Sequence, residues 1–145
     1  MTNPLHHIIY RINCSTEDID SLYHQAAVKL GVSDSVLFIL YILYVNQEKC
    51  MLSAIYKQSG ISKQTINSAI RKLENEEILY LEKHSGKSKM VCLTEKGKSY
   101  ANQTAARLFE AECNAFCDWS EAELKDYLAL MEKHNTSLRQ QIQNL

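Results

Sequence analysis

Gln64, Ser68, Arg71 and Asn75 recur at helical spacing along one side of residues 63–77, flanked by Asn67 and Lys72. Short amides and hydroxyls reach base edges, and an arginine fork grips guanine or phosphate. Ile66, Ala69, Ile70 and Leu73 repeat on the opposite side at the same period, so the segment reads as a helix with one apolar face. Its polar face carries no acid before Glu74 and Glu76. The chemistry this allows is reading a polyanion. An ordinary solvated face is the better reading for a helix in isolation, so the neighbouring elements decide.

Those neighbours form an ordered set. Ser53 opens a short helix that ends at Gly60, and Ser62 caps the polar helix, its hydroxyl facing the amide of Gln64 or Thr65. Residues 78–83 and 89–93 alternate as strands around His84-Ser85-Gly86-Lys87-Ser88, a turn carrying positive charge. Leu93-Thr94-Glu95-Lys96-Gly97 then opens a further helix. The order predicts a helix-turn-helix followed by a basic β wing. One helix would lie in a DNA groove and the wing beside it. On this reading Ser62, Lys63, Gln64, Thr65, Asn67, Ser68, Arg71 and Lys72 contact DNA from the helix, and His84, Lys87 and Lys89 from the wing.

Charge is distributed to match. The chain has 145 residues and a net charge of −1. Residues 49–98 hold ten Lys or Arg against five Asp or Glu, and the rest hold six against twelve. A basic middle between acidic flanks is expected where only the middle meets phosphate. The N-terminus lacks a basic stretch followed by an apolar one, and the apolar run 36–45 is shorter than the ~20 residues that span a bilayer. Five cysteines without a CxxC pair fit no disulfide framework and suit reduced thiols in the cytoplasm.

The flanks read as long amphipathic helices. Asn3 and Pro4 start one, carrying Leu5, Ile8, Ile9 and Ile12 on its apolar stripe, with Ser15 and Thr16 a candidate bend and Gly31 its stop. Ser33 caps a helix from Asp34 to about Val45. Residues 50–52 suit a short strand. Thr94 caps a long helix to about Cys117, and Ser120 with Glu123 forms a capping box for the last. In that last helix Leu124, Leu128, Met131, Asn135, Leu138 and Ile142 step alternately by four and three, a heptad seam with one Asn. A seam of this kind pairs with another helix, in the same chain or in a second copy. The apolar surface outside the basic middle exceeds what so small a winged domain covers, which favours a second copy.

Taken together, the run Ile55-Tyr56-Lys57-Gln58-Ser59-Gly60-Ile61-Ser62, then Thr65-Ile66-Asn67, Leu73-Glu74, Ile78-Leu79 and Val91-Cys92-Leu93-Thr94-Glu95-Lys96-Gly97, resembles the MarR family of transcriptional regulators. The similarity covers nearly the whole chain, and its most specific piece is Leu-Thr-Glu-x-Gly. The resemblance implies a mainly α fold with a small β wing. It implies an N-terminal dimerisation helix in 1–32, a DNA-binding winged region in 33–96 and C-terminal dimerisation helices in 97–145. It implies a homodimer whose terminal helices interlock, and a palindromic operator with half-sites about one helical turn apart. The chain departs from the family at the wing. Ser85-Gly86-Lys87 stands where the family usually has Asp-x-Arg, so a charge is kept but a planar fork is lost.

Members of that family are often repressors relieved by a small phenolic or lipophilic effector, or by cysteine oxidation. Tyr10, Tyr23, Tyr41 and Tyr44 form the aromatic set available to an effector, although each also suits the core. Cys14, near Arg11, is the candidate redox thiol. Adjacent His6 and His7 do not share a helix face, so no metal site and no cofactor is expected. No nucleophile has a local partner and no Gly-rich phosphate loop is present, which argues against an enzyme. Two functions remain: a DNA-binding regulator of the repressor type, and a winged-helix module that has lost DNA binding and docks a protein instead.

Overall fold

A computed structural model describes residues 3–145, so the first two positions of the expected N-terminal segment lie outside the described residues. Helix α1 spans Pro4–Leu30 and runs unbroken through Ser15 and Thr16. The Thr16 hydroxyl bonds back to the Ile12 carbonyl at 3.0 Å, which satisfies it inside a continuous helix. Asn3 caps the start through the Leu5 amide at 3.0 Å. Gly31 closes the end at φ 73°, where a side chain would be strained.

Helix α2, Asp34–Val45, is the centre of the core. Val36, Leu37, Ile39, Leu40, Ile42 and Leu43 are all buried, because the segment is apolar on every side. Strand β1 (Lys49–Met51) and helix α3 (Leu52–Ser59) follow, each starting one residue earlier than the sequence suggests. Helix α4 spans Lys63–Asn75, two residues shorter than expected. Glu77 adopts φ 58° and the Ile78 amide returns to the Leu73 carbonyl at 2.9 Å, closing the helix without a glycine. Strands β2 (Leu79–Lys83) and β3 (Lys89–Leu93) complete an antiparallel sheet of order β1-β3-β2.

The expected single helix from Thr94 to about Cys117 is two helices, α5 (Glu95–Gln103) and α6 (Ala105–Ala115). Thr104 lies between them at φ −125°, ψ −82°, buried, with its hydroxyl on the Tyr100 carbonyl at 2.8 Å. That bond leaves the buried hydroxyl satisfied where the helix breaks. The last helix, α7, spans Glu121–Gln143.

The chain divides into two compact units, one through Phe109 and one from Glu110 to Leu145. In the first, Ile39, Leu40, Leu43, Ile55, Ile66, Leu73, Leu79 and Val91 are fully buried in one cluster. In the second, Trp119 packs edge to face with both Phe116 and Tyr127, with Phe116–Trp119 centroids 5.0 Å apart and Trp119–Tyr127 5.3 Å. Ser120 and Glu123 cap α7 reciprocally, at 3.1 Å each way, as the capping box predicts. Helix α7 itself buries no residue.

Candidate nucleic-acid interface

Ile66, Ala69, Ile70 and Leu73 anchor α4 in the core, which leaves its other side to solvent. Lys63, Gln64, Thr65, Ser68, Arg71, Lys72 and Asn75 are exposed there. Ser62 sits at the N-cap and accepts from the Thr65 amide at 3.2 Å, settling which of the two expected amides it meets. Its hydroxyl proton goes to the Thr65 side chain at 2.9 Å. Ser68 bonds the Gln64 carbonyl at 3.0 Å. Several small polar groups are thus half-occupied, whereas Gln64, Arg71 and Lys72 keep donors for a partner. Asn67 is only half-buried, because the Tyr56 hydroxyl of α3 donates to its Oδ1. The Lys63 ammonium lies 5.1 Å from the centre of the Tyr56 ring.

The β2–β3 hairpin carries the wing. His84 and Ser88 close the turn, the His84 amide donating to the Ser88 carbonyl at 3.0 Å. Gly86 at φ 57° supplies the left-handed step. His84, Lys87 and Lys89 are all exposed. The register also pairs Lys83 directly with Lys89. Like charges directly opposite across strands are destabilising, so this pair suits a face that meets an anion. Lys83 was not among the residues expected to contact DNA. The signal was available, since a five-residue turn from 84 to 88 sets 83 against 89. Among the described residues, Lys63, Arg71, Lys72, Lys83, Lys87 and Lys89 have no carboxylate partner.

The four tyrosines are not brought to one place. Tyr10 and Tyr23 are exposed on α1 and, 13 positions apart, lie about 20 Å apart along the helix. Tyr41 and Tyr44 are partly buried and pack on Phe109, with centroids at 6.3 and 5.9 Å. Tyr44 also borders an open depression of about 380 Å³ with Glu48, Leu93 and Lys98. Cys14 is exposed, and its close neighbour is Tyr10, whose hydroxyl pKa is raised by a hydrogen bond to that thiol. Cys113 and Cys117 are also exposed. Burial pushes the Cys50 and Cys92 thiols above their usual range. No group of three His, Cys, Asp or Glu capable of holding a metal occurs among the described residues.

The seam residues are largely uncovered. On α1, Leu5 is 56% exposed and Ile8 53%, with Ile9 and Ile12 little less; on α7, Leu128 is 58% and Ile142 57%, with Met131, Asn135 and Leu138 also exposed and Leu124 half-buried. No single helix among the described residues is long and apolar enough to cross a membrane.

A capped helix with a polar outer face, set beside an antiparallel sheet whose hairpin has a cationic tip, is a winged helix-turn-helix. No protein-family model matches the sequence, and no curated protein matches it significantly. Solved structures share the fold across nearly the whole chain. A MarR family regulator from Neisseria meningitidis superposes with a TM-score of 0.82 at 17% identity, covering 99% of each chain. A MarR/EmrR family transcriptional regulator from Acinetobacter sp. ADP1 gives 0.72 at 21% identity, over 95% of this chain and 99% of that one. S. aureus MepR, solved as a DNA complex, gives 0.65 at 20% identity, over 89% and 96%. The mainly helical winged fold is therefore as the sequence predicts, and its structural relatives are regulators of the family that the sequence resembles.

Proposed function

We propose that this chain is a MarR-type transcriptional regulator that binds double-stranded DNA as a homodimer. Helix α4 enters the major groove of each half of a palindromic operator, and the wing follows the adjacent backbone. The observation that carries this is the outer face of α4, where Gln64, Arg71 and Lys72 stand exposed and the cations lack carboxylate partners. The basic middle segment and the facing Lys83 and Lys89 support the same reading. The exposed stripes of α1 and α7 suit a second copy of the chain. Repression relieved by a small effector follows the family pattern, as does action in the cytoplasm.

The second reading, a winged module that docks a protein, rests on the wing's Ser85-Gly86-Lys87 in place of an arginine. Titrating salt against binding to random duplex DNA separates the two. A DNA reader loses affinity steeply and log-linearly as salt rises, through counterion release. Absent or salt-independent binding favours the protein-docking module.

A further inference from the structure

Lys63, Asn67 and Arg71 lie at i, i+4 and i+8, forming one stripe along α4. Tyr56 of α3 organises that stripe from beneath. Its ring sits under the Lys63 ammonium, and its hydroxyl donates to Asn67 Oδ1. Arg71 leans back on the same turn, its Nε 3.5 Å from the Asn67 carbonyl. Among the described residues Asn67 Nδ2 has no hydrogen-bond partner, and no side-chain polar atom is both buried and unpartnered. The amide nitrogen therefore faces solvent, on the stripe that carries two cations.

Resting on the reading of α4 as the groove-facing helix, we propose that Tyr56 is a positioning residue that sets base preference by holding Asn67 with its NH₂ outward. An asparagine free to rotate pairs with adenine in both directions, donating to N7 and accepting from the N6 amine. With Oδ1 held by Tyr56, Asn67 presents donors alone. The flanking Lys63 and Arg71 are donors too, so the stripe offers hydrogens and no acceptor. In the major groove guanine presents O6 and N7 and thymine presents O4, all acceptors; adenine presents its N7 acceptor beside an exocyclic amine, and cytosine presents an amine. A keto base, guanine or thymine, is then favoured opposite Asn67: adenine N7 can accept, but the N6 amine beside it finds no acceptor, and cytosine meets donor against donor.

The test is selection from a pool of randomised duplex DNA by wild type, Tyr56→Phe, Asn67→Ala and the double variant, with thermal melts of each. Phenylalanine keeps the ring beneath Lys63 and removes only the hydroxyl. Wild type is expected to enrich guanine or thymine about tenfold over adenine or cytosine at one position in each half-site, the size of one good base contact. Tyr56→Phe is expected to reduce that ratio to about twofold by admitting adenine, with the other positions and random-DNA affinity unchanged. Asn67→Ala removes the same preference, and adding Tyr56→Phe to it changes nothing more. A preference retained in Tyr56→Phe, an adenine or cytosine preference in wild type, or uniform loss at every position overturns the assignment of the amide. A pool from which wild type enriches nothing overturns the DNA reading itself, and this inference with it.

Discussion

At the scale of single residues, exposure and partnership separate groups that act from groups that hold. Arg71 is exposed and, among the described residues, makes only a long contact to a backbone carbonyl, so Arg71→Ala should leave the melting temperature nearly unchanged. If Arg71 reads a guanine, the variant loses about 1–3 kcal/mol on the selected operator alone; if it grips phosphate, the loss is even across sequences. Unaltered operator affinity removes Arg71 from the interface. Lys87 at the wing tip holds charge without a fork. Lys87→Ala should weaken operator and random DNA by similar factors and flatten the salt dependence by about one unit of slope. Lys87→Arg should gain chiefly at sites with A·T steps under the wing, where a narrow minor groove suits a guanidinium. An operator-specific loss in Lys87→Ala shows instead that the wing reads sequence. The thiols divide by burial. Cys92 is 2% exposed with a raised pKa, so its thiolate is scarce and shielded near neutral pH. Alkylation of the native protein should spare Cys92 and label it only on unfolding, which peptide mapping reads directly.

Elements are held together by the run Leu93-Thr94-Glu95-Lys96-Gly97, which the sequence marks as distinctive without saying why. Leu93 is buried. The Thr94 hydroxyl accepts from the Gly97 amide at 2.9 Å and donates at 2.5 Å to the Glu77 carbonyl. Lys96 reaches the Glu76 carbonyl at 2.8 Å, at the C-terminal end of α4. A Cβ on Gly97 would stand 1.8 Å from the Ile78 carbonyl oxygen. The run thus fixes the start of α5 against the end of α4, and so sets where the polar helix points. Gly97→Ala gains about 1 kcal/mol of helix propensity but must displace backbone, which costs about 1–3 kcal/mol or more. The clash wins, and a lowered melting temperature is expected; an unchanged or raised one shows that the junction yields. What the sequence conveyed and what it hid follow from the same physics. An unbroken apolar run located α2, and apolar periodicity located the buried face of α4, because apolar placement is a direct image of burial. It did not locate the end of α4 or the break at Thr104. Glu77 and Thr104 are ordinary residues whose unusual backbone is set by tertiary contacts, with neither Gly nor Pro to announce them. The cations of the face were legible from composition. The Lys83–Lys89 pair follows from the length of the turn, whereas the Tyr56–Asn67 bond was not legible, since it depends on which residues become neighbours across elements.

For the whole molecule, uncovered apolar surface is the quantity that demands an account. Helix α7 buries nothing, yet its seam repeats without a break from Leu124 to Ile142. A solvated helix has no use for such regularity. Each seam side chain buried by a partner is worth on the order of 1.5–3 kcal/mol, so several together rival the whole stability of a small domain. The chain is therefore expected to be an obligate dimer whose melting temperature rises with protein concentration. Two substitutions locate the interface on the seam. Leu128 lies on it and is 58% exposed, while Leu130 is 64% exposed but belongs to neither step of the heptad. Simple exposure makes Leu130 the safer position by a margin too small to matter, so only the seam predicts a difference. Leu128→Glu should place a charge against a partner's apolar face and shift sedimentation toward monomer or aggregate. Leu130→Glu should leave the dimer and its melting temperature close to wild type. Deleting residues 126–145 removes most of the seam and should yield aggregated or unfolded protein. A folded, soluble monomer from that deletion, or equal tolerance of glutamate at 128 and 130, would sink the dimer and with it the palindromic operator, which only a two-fold protein requires.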